Sequence, residues 1–163
     1  VDDEILKNIL EYRSLVNDEI ISIMFDVYMT SYEKSSVTSR VKAQNSIEFK
    51  MENYFINHEG GRIPLKKCLN DLFGIRIIID DSFSYPDVKK YMDVNFPEYK
   101  CIDSSKRSYI ATHIYFEKGN FCFPWELQIW AKKDEKNNFQ SHKEYKQEYT
   151  KWESENRGGV EID

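Results

Sequence analysis

Apolar residues in the first part of the chain recur at helical spacing: Ile5, Leu6, Ile9 and Leu10, then Leu15, Val16 and Ile20, with charges between them. The pattern predicts one or two helices within residues 1–35, packed on the body of the domain. SYEKSSVTSR follows as a polar connector in which Ser36, Thr38 or Ser39 would cap the next helix. That helix is expected across SRVKAQNSIEFKMENYF. Ile47, Met51, Tyr54 and Phe55 make its apolar side, while Lys42, Ser46 and Lys50, every fourth position, make a polar stripe with Arg40 at its mouth. The glycine pair in HEGGR stops this helix and permits positive φ. Pro64 then opens a short helix from Ile63 to Leu72.

At GIRIIIDD the period changes. Rich in β-branched residues and introduced by Gly74, this run reads as a buried strand. SYPDVKKYMDVNF suits a crossover helix with Val88, Tyr91, Met92 and Phe96 on its inner side. Tyr99 to Asp103 reads as a short strand. Tyr109 to Glu117 and Phe121 to Trp130 read as longer ones, joined as a hairpin at Lys118-Gly119-Asn120. A charged helix through HKEYKQEYTKWE follows. The expected fold is α+β (mixed α/β), a mixed β-sheet of about four or five strands flanked by helices. It forms one domain overall: a helical segment at 1–35, a core at 36–155 and a tail at 156–163.

Composition narrows the function classes. At 163 residues the chain can build one sizeable core, and 40% hydrophobic with 15% aromatic content excludes a disordered polymer. A net charge of -5 argues against non-specific coating of nucleic acid, which needs a basic field, but leaves room for a local basic pocket. Cys68, Cys101 and Cys122 are odd in number, widely spaced and without metal-ligand spacing, so a reducing compartment is expected. Ile20 to Phe25 is too short to cross a bilayer, and the acidic N-terminus lacks the basic region of a signal peptide. The expectation is a soluble, cytoplasmic protein with no membrane partner.

Strand alternation sorts the last two strands into faces. Phe121, Phe123, Trp125, Leu127 and Ile129 share one side with Ile110, Thr112, Ile114 and Phe116, which is nearly pure hydrocarbon. The other side holds Tyr109, His113, Glu126 and Gln128. A single carboxylate or histidine on a sheet is usually structural; a convergence of such groups marks a candidate site. Asp71, in LNDLFG, either pairs with Arg76 across a turn, ends a helix, or joins Glu126 in holding a hard, oxygen-seeking cation such as Mg²⁺. No His/Cys cluster suggests zinc or iron, and neither glycine pair has the spacing of a phosphate-cradling Walker loop.

Taken together, SRVKAQNSIEFK, LNDLFGIRIIID, YIATH, WELQIW and HKEYK resemble, in order and over residues 36 to 146, the synthetase domain of the RelA/SpoT-homologue family, the alarmone synthetases. The resemblance implies a nucleotidyltransferase-like fold. It also implies a GTP pyrophosphokinase-type reaction, in which the β,γ-pyrophosphate of ATP moves to the ribose 3′-hydroxyl of GTP or GDP. By the same resemblance Arg40 lies against the adenine, and Lys42, Ser46 and Lys50 hold the ATP phosphates with help from Arg76. Asp71 binds Mg²⁺, for which Mn²⁺ can substitute. Tyr109 stacks on the acceptor base, His113 contacts acceptor phosphates, and Lys106, Arg107 and Gln128 lie on the acceptor side. Glu126 coordinates the metal or takes the hydroxyl proton. A carboxylate within reach of the attacking hydroxyl and preplaced cations suit phosphoryl transfer, and an aromatic face stacks any base.

The departures fall on the acceptor side. Family members commonly carry lysine four positions before the stacking tyrosine and glycine just before it; here Ser105-Lys106-Arg107-Ser108-Tyr109 shifts the lysine and inserts Arg107. Trp130 and Ala131 stand where members often have arginine and threonine. Two alternatives therefore stay open. One is a toxic synthetase whose acceptor is the tRNA 3′ end or an adenine nucleotide, aided by Lys132, Lys133, Lys143 and Lys146 and neutralised by an antitoxin protein. The other is a nucleotide-binding regulatory module without catalysis. No His-Asp dipeptide occurs and the chain is short for the family's hydrolase domain, so synthesis without degradation is expected. The sequence leaves the oligomeric state open.

Overall fold

The structure, a computed structural model, describes residues 3–30, 35–57, 59–80, 83–119 and 122–144. Its strands are β1 (Ser35–Val41), β2 (Phe73–Ile79), β3 (Lys100–Asp103), β4 (Thr112–Phe116) and β5 (Trp125–Ala131), joined in one five-stranded sheet of order β1-β2-β5-β4-β3. β2 and β5 run parallel at its centre, and the other neighbouring pairs are antiparallel. The helices are α1 (Asp3–Thr30), α2 (Gln44–Glu52), α3 (Tyr54–Asn57), α4 (Leu65–Cys68), α5 (Tyr85–Asn95) and α6 over 135–144. This is the mixed α+β architecture expected from the sequence.

The hydrocarbon face of the sheet is covered by α5. A capping box opens this helix, with the Ser84 N–H donating to Asp87 at 2.9 Å, and Tyr85, Val88 and Met92 then pack on Cys101, Ile114, Phe116, Leu127 and Ile129. A second cluster ties α1 to α2, bringing Ile9 against Ile47, Met51, Tyr54, Leu69 and Leu72. On the opposite face of the sheet the apolar content shrinks to Ile78, Ala111 and Trp130 with Tyr109. The rest of that face is left to polar side chains.

Several expectations change. SYEKSSVTSR is no connector from Ser35 onward: Ser36, Thr38 and Ser39 lie in β1, paired with β2 from Ser35–Ile79 to Val41–Phe73. A strand at the sheet edge needs only one partner and tolerates polar residues, so the isoleucine run of β2 draws it in. Arg40 is consequently a strand residue. Lys42 lies in the linker, because Ala43 caps α2 in an extended conformation (φ -63, ψ 144) and the helix begins at Gln44. Lys42, Ser46 and Lys50 therefore do not form one helical stripe. α4 is shorter than the span from Ile63 to Leu72, with Pro64 as its N-cap. Tyr91 and Phe96 face outward, at 60% and 41% exposure, because the inner stripe of α5 runs through Tyr85, Val88 and Met92.

β4 begins only at Thr112, and the connection to β5 spans 117–124 rather than a three-residue turn. Tyr109 precedes β4, in a tight turn closed on Lys106. The glycines of HEGGR do take positive φ, 68° at Gly60 and 81° at Gly61. Among the described residues no helix is long and apolar enough to cross a membrane. Asn120, Phe121, the end of the HKEYKQEYTKWE helix and the 156–163 tail lie outside the described residues.

Ile47, fully buried between α1, α2 and the 65–72 segment, carries the test of this packing. Ile47→Ala is expected to lower unfolding stability by about 2–5 kcal/mol, read from urea denaturation at constant m-value.

Candidate active site

Strand register builds the site in two cross-strand rows. One runs Arg40, Gly74, Glu126, Tyr115; the next runs Thr38, Arg76, Gln128, His113. Side chains of such rows share a face because register fixes which positions stand opposite each other. The face predicted from alternation is thus the one observed, and β1 adds Arg40 to it. A cavity of about 200 Å³ opens on the rows, lined among others by Arg40, Asp71, Gly74, Arg76, Glu126 and Gln128. Gly74 makes room for its neighbour: a Cβ there would stand 3.3 Å from the Glu126 backbone oxygen and 3.7 Å from its Oε2.

Asp71 organises the cationic side. Lys42 Nζ donates to Oδ2 at 2.5 Å, Lys50 Nζ to Oδ1 at 3.1 Å, and Arg40 Nη2 stands 3.6 Å from Oδ2. Lys42 is clamped at both backbone groups, its N–H donating to Leu72 O at 2.8 Å and its carbonyl accepting from Arg13 Nε at 2.7 Å. Burial lowers its pKa from 10.5 to about 8, in spite of the favourable charge of Asp71. Burial alone would raise Asp71, but Lys42 and Lys50 outweigh it and hold the carboxyl at about 2. The lysines that the sequence placed on one helix thus come from a linker and a helix, and still meet at one carboxylate. Ser46 is half-buried on α2, one turn before Lys50. The alternative Asp71–Arg76 pairing is not formed: Arg76 bonds Gln128.

Glu126 organises the other side and is 4% exposed. His113 Nδ1 lies 2.7 Å from Oε1, Tyr115 donates to Oε1 at 2.9 Å, and Gln128 Nε2 donates to Oε2 at 2.7 Å. Burial would raise its pKa, but the His113 and Gln128 contacts prevail and keep the carboxyl below its ordinary value. Trp130 Nε1 donates to the Tyr109 hydroxyl at 3.3 Å, which stands 2.8 Å from His113 Nε2. Indole N–H can only donate, so the Tyr109 hydroxyl accepts from Trp130 and links it to His113, which in turn meets Glu126. Burial pushes the Tyr109 phenol up to about 12 and also raises Tyr115.

Arg76 lies between the two sides, donating to Gln128 Oε1 through Nε at 3.1 Å and Nη2 at 2.9 Å. Lys106 and Arg107 are exposed on the turn before Tyr109, with Arg107 in the left-handed region at φ 58. Among the described residues no group of three or more His, Cys, Asp or Glu forms a metal cluster. Asp71 and Glu126 do face one cavity as ionised oxygen donors, which fits a hard cation that takes its remaining ligands from water and phosphate. Sequence reasoning assigned no role to His142, Tyr115 or Arg13. Alternation marks Tyr115 as a face-mate of Glu126; nothing local marks the other two.

No protein-family model matches the chain, nor does any curated protein. Solved structures do. Small alarmone synthetase 1 from Bacillus subtilis is 22% identical, with TM-score 0.50, over 91% of this chain and 81% of that one. The same synthetase bound to its product pppGpp is 21% identical, with TM-score 0.48, over 92% and 83%. A GTP pyrophosphokinase family protein from Streptococcus pneumoniae is 20% identical, with TM-score 0.47, over 91% and 76%. The first of these shows that the chain has the fold of a small alarmone synthetase.

A pH test reads the burial of the site. Burial first, then the charge of Arg76, lowers His142 from 6.5 to about 4. Between those values the unfolded chain holds more protons than the folded one, so stability is full above pH 6.5 and falls as the pH drops toward 4. His142→Gln, which cannot titrate, is expected to flatten that slope in chemical denaturation across the same window; an unaltered slope would contradict the neutral, buried imidazole.

Proposed function

We propose that this chain is an alarmone synthetase, an ATP:nucleotide 3′-pyrophosphotransferase that makes (p)ppGpp from ATP and GTP or GDP. One observation carries the reading: Asp71, on which Lys42, Lys50 and Arg40 gather, and the oriented carboxylate Glu126 line a single cavity together with Arg40 and Arg76. The fold shared with small alarmone synthetase 1 and the order of the motifs support it.

In this reading Lys42, Lys50 and Arg40 exchange part of their contact with Asp71 for the ATP phosphates, with Ser46 beside them. The acceptor 3′-oxygen attacks the β-phosphorus, the bond from that phosphorus to the α,β-bridging oxygen breaks, AMP leaves, and the hydroxyl proton passes to Glu126. His113, Tyr115 and Gln128 hold Glu126 at the angle this requires. Asp71, with Glu126 opposite, would hold Mg²⁺ or Mn²⁺, which supplies positive charge to the transferring phosphates. Tyr109, with Lys106 and Arg107 on its turn, is proposed to meet the acceptor nucleotide.

The deciding experiment incubates the protein with Mg²⁺, γ-labelled ATP and, in turn, GTP, GDP, ATP and bulk tRNA. Label in ppGpp or pppGpp is expected; label in tRNA or in an adenine product would move the acceptor assignment, and binding of ATP without transfer would leave a regulatory module. Glu126→Gln is expected to cut turnover by roughly 10²-fold or more while ATP still binds. Lys42→Ala is expected instead to raise the KM for ATP, and an unchanged KM would remove Lys42 from the donor site.

A further inference from the structure

Arg76 lines the cavity without joining the Asp71 cluster, and it shares that cavity with the carboxylates of Asp71 and Glu126. A long guanidinium side chain left to itself there would swing onto one of them. Neutral acceptors hold it away instead. Oε1 of Gln128 takes two of its N–H groups, and its central carbon lies 3.8 Å over the Trp130 ring. α6 completes the seat from the far side. His142 Nε2 stands 3.4 Å from Arg76 Nη2, and the His142 ring stacks on Trp130 with centroids 5.5 Å and planes 26° apart. A guanidinium has no acceptor, so Nε2 accepts and the ring is uncharged. Asn138, one turn earlier and fully buried, pins α6 by bonding both the N–H and the carbonyl of Ile110 at 2.8 Å.

We propose that His142 is a positioning residue for the donor nucleotide: through Nε2 and its stack on Trp130 it holds the Arg76 guanidinium at the cavity wall. The inference rests on the synthetase reading above, since it gives Arg76 a nucleotide to meet. Trp130 is part of the device, because the indole supplies a flat neutral surface beneath the guanidinium.

Two measurements test it, on His142→Leu, which removes the acceptor, and on His142→Gln, whose amide oxygen restores one. The first is the Arg76 Nε–H resonance in nitrogen-edited NMR, assigned by its loss in Arg76→Lys and shifted by the Trp130 ring. The second is the affinity for a non-hydrolysable ATP analogue, with KM and kcat alongside. His142→Leu is expected to move the resonance toward that of a solvated arginine. It should also weaken analogue binding and raise the KM for ATP roughly tenfold, the scale of one lost hydrogen bond to a charged group, with kcat little changed. His142→Gln should restore both. A resonance that stays in place in His142→Leu overturns the proposal, as does one that moves without loss of affinity. Should the leucine variant not fold, His142→Asn, which ends short of Nη2, is read by the same measurements and the same outcomes. Failure of the wild-type protein to bind the analogue would overturn the synthetase reading itself.

Discussion

The parallel pairing of β2 with β5 is the constraint on which the site depends. It sets Gly74 beside Glu126, Arg76 beside Gln128 and Ile78 beside Trp130. A slip of one residue would turn Glu126 and Gln128 toward α5 and put Leu127 and Ile129 into the cavity, exchanging the core for the chemistry. Burial holds the register, because Leu127 and Ile129 pack under α5 while Ile78 and Trp130 close the other side. A central strand buried on both faces should be uninterrupted hydrocarbon. β2 departs from that at Gly74 and Arg76, and both departures face the cavity: one leaves space for the Glu126 carboxylate, the other brings a cation.

Charge is the second constraint. A protein of net charge -5 keeps three cations within 4 Å of one carboxylate. Buried ion pairs seldom add stability over well-packed hydrocarbon, since desolvation offsets the attraction. The cluster is therefore poorly explained as a fold-stabilising device, and Lys42, pulled down to about 8 by burial, shows the cost of keeping it. What it achieves is a local positive field inside an acidic molecule, with a carboxylate keeping the cations charged and in place until another anion shares them.

Sequence periodicity found the Glu126 face because a strand's period of two is a local property: once 121–130 reads as a strand, Glu126 and Gln128 share a side with His113 and Tyr115 whatever the tertiary context. It misassigned Arg40 and Lys42 for a related reason. The spacing of Lys42, Ser46 and Lys50 satisfies a helical period, but the polar run before it becomes an edge strand only because β2 is there to pair with, and that is not written in residues 35–41. The lysines nonetheless converge, because Asp71 gathers them from two elements. His142 was out of reach of any period. Its role arises from the docking of α6, and that depends on Asn138 grasping the backbone of Ile110 far away in the chain.

Few polar atoms on this face are idle; among the described residues the single buried side-chain atom without a partner is Oδ2 of Asp134, just after β5. A ligand must therefore exchange contacts rather than fill vacancies. The consequence is sharpest at Glu126. The His113 and Gln128 contacts hold it below the ordinary carboxylate range, which keeps it ionised but makes it a weak base for a sugar hydroxyl. On the proposed reaction, bound phosphates bring negative charge into a cavity where solvent screens little, and like charge raises the proton affinity of a carboxylate. The divalent cation proposed to arrive with the phosphates acts the other way, so the strength of the base would follow the net charge of the bound donor and its metal rather than the empty site.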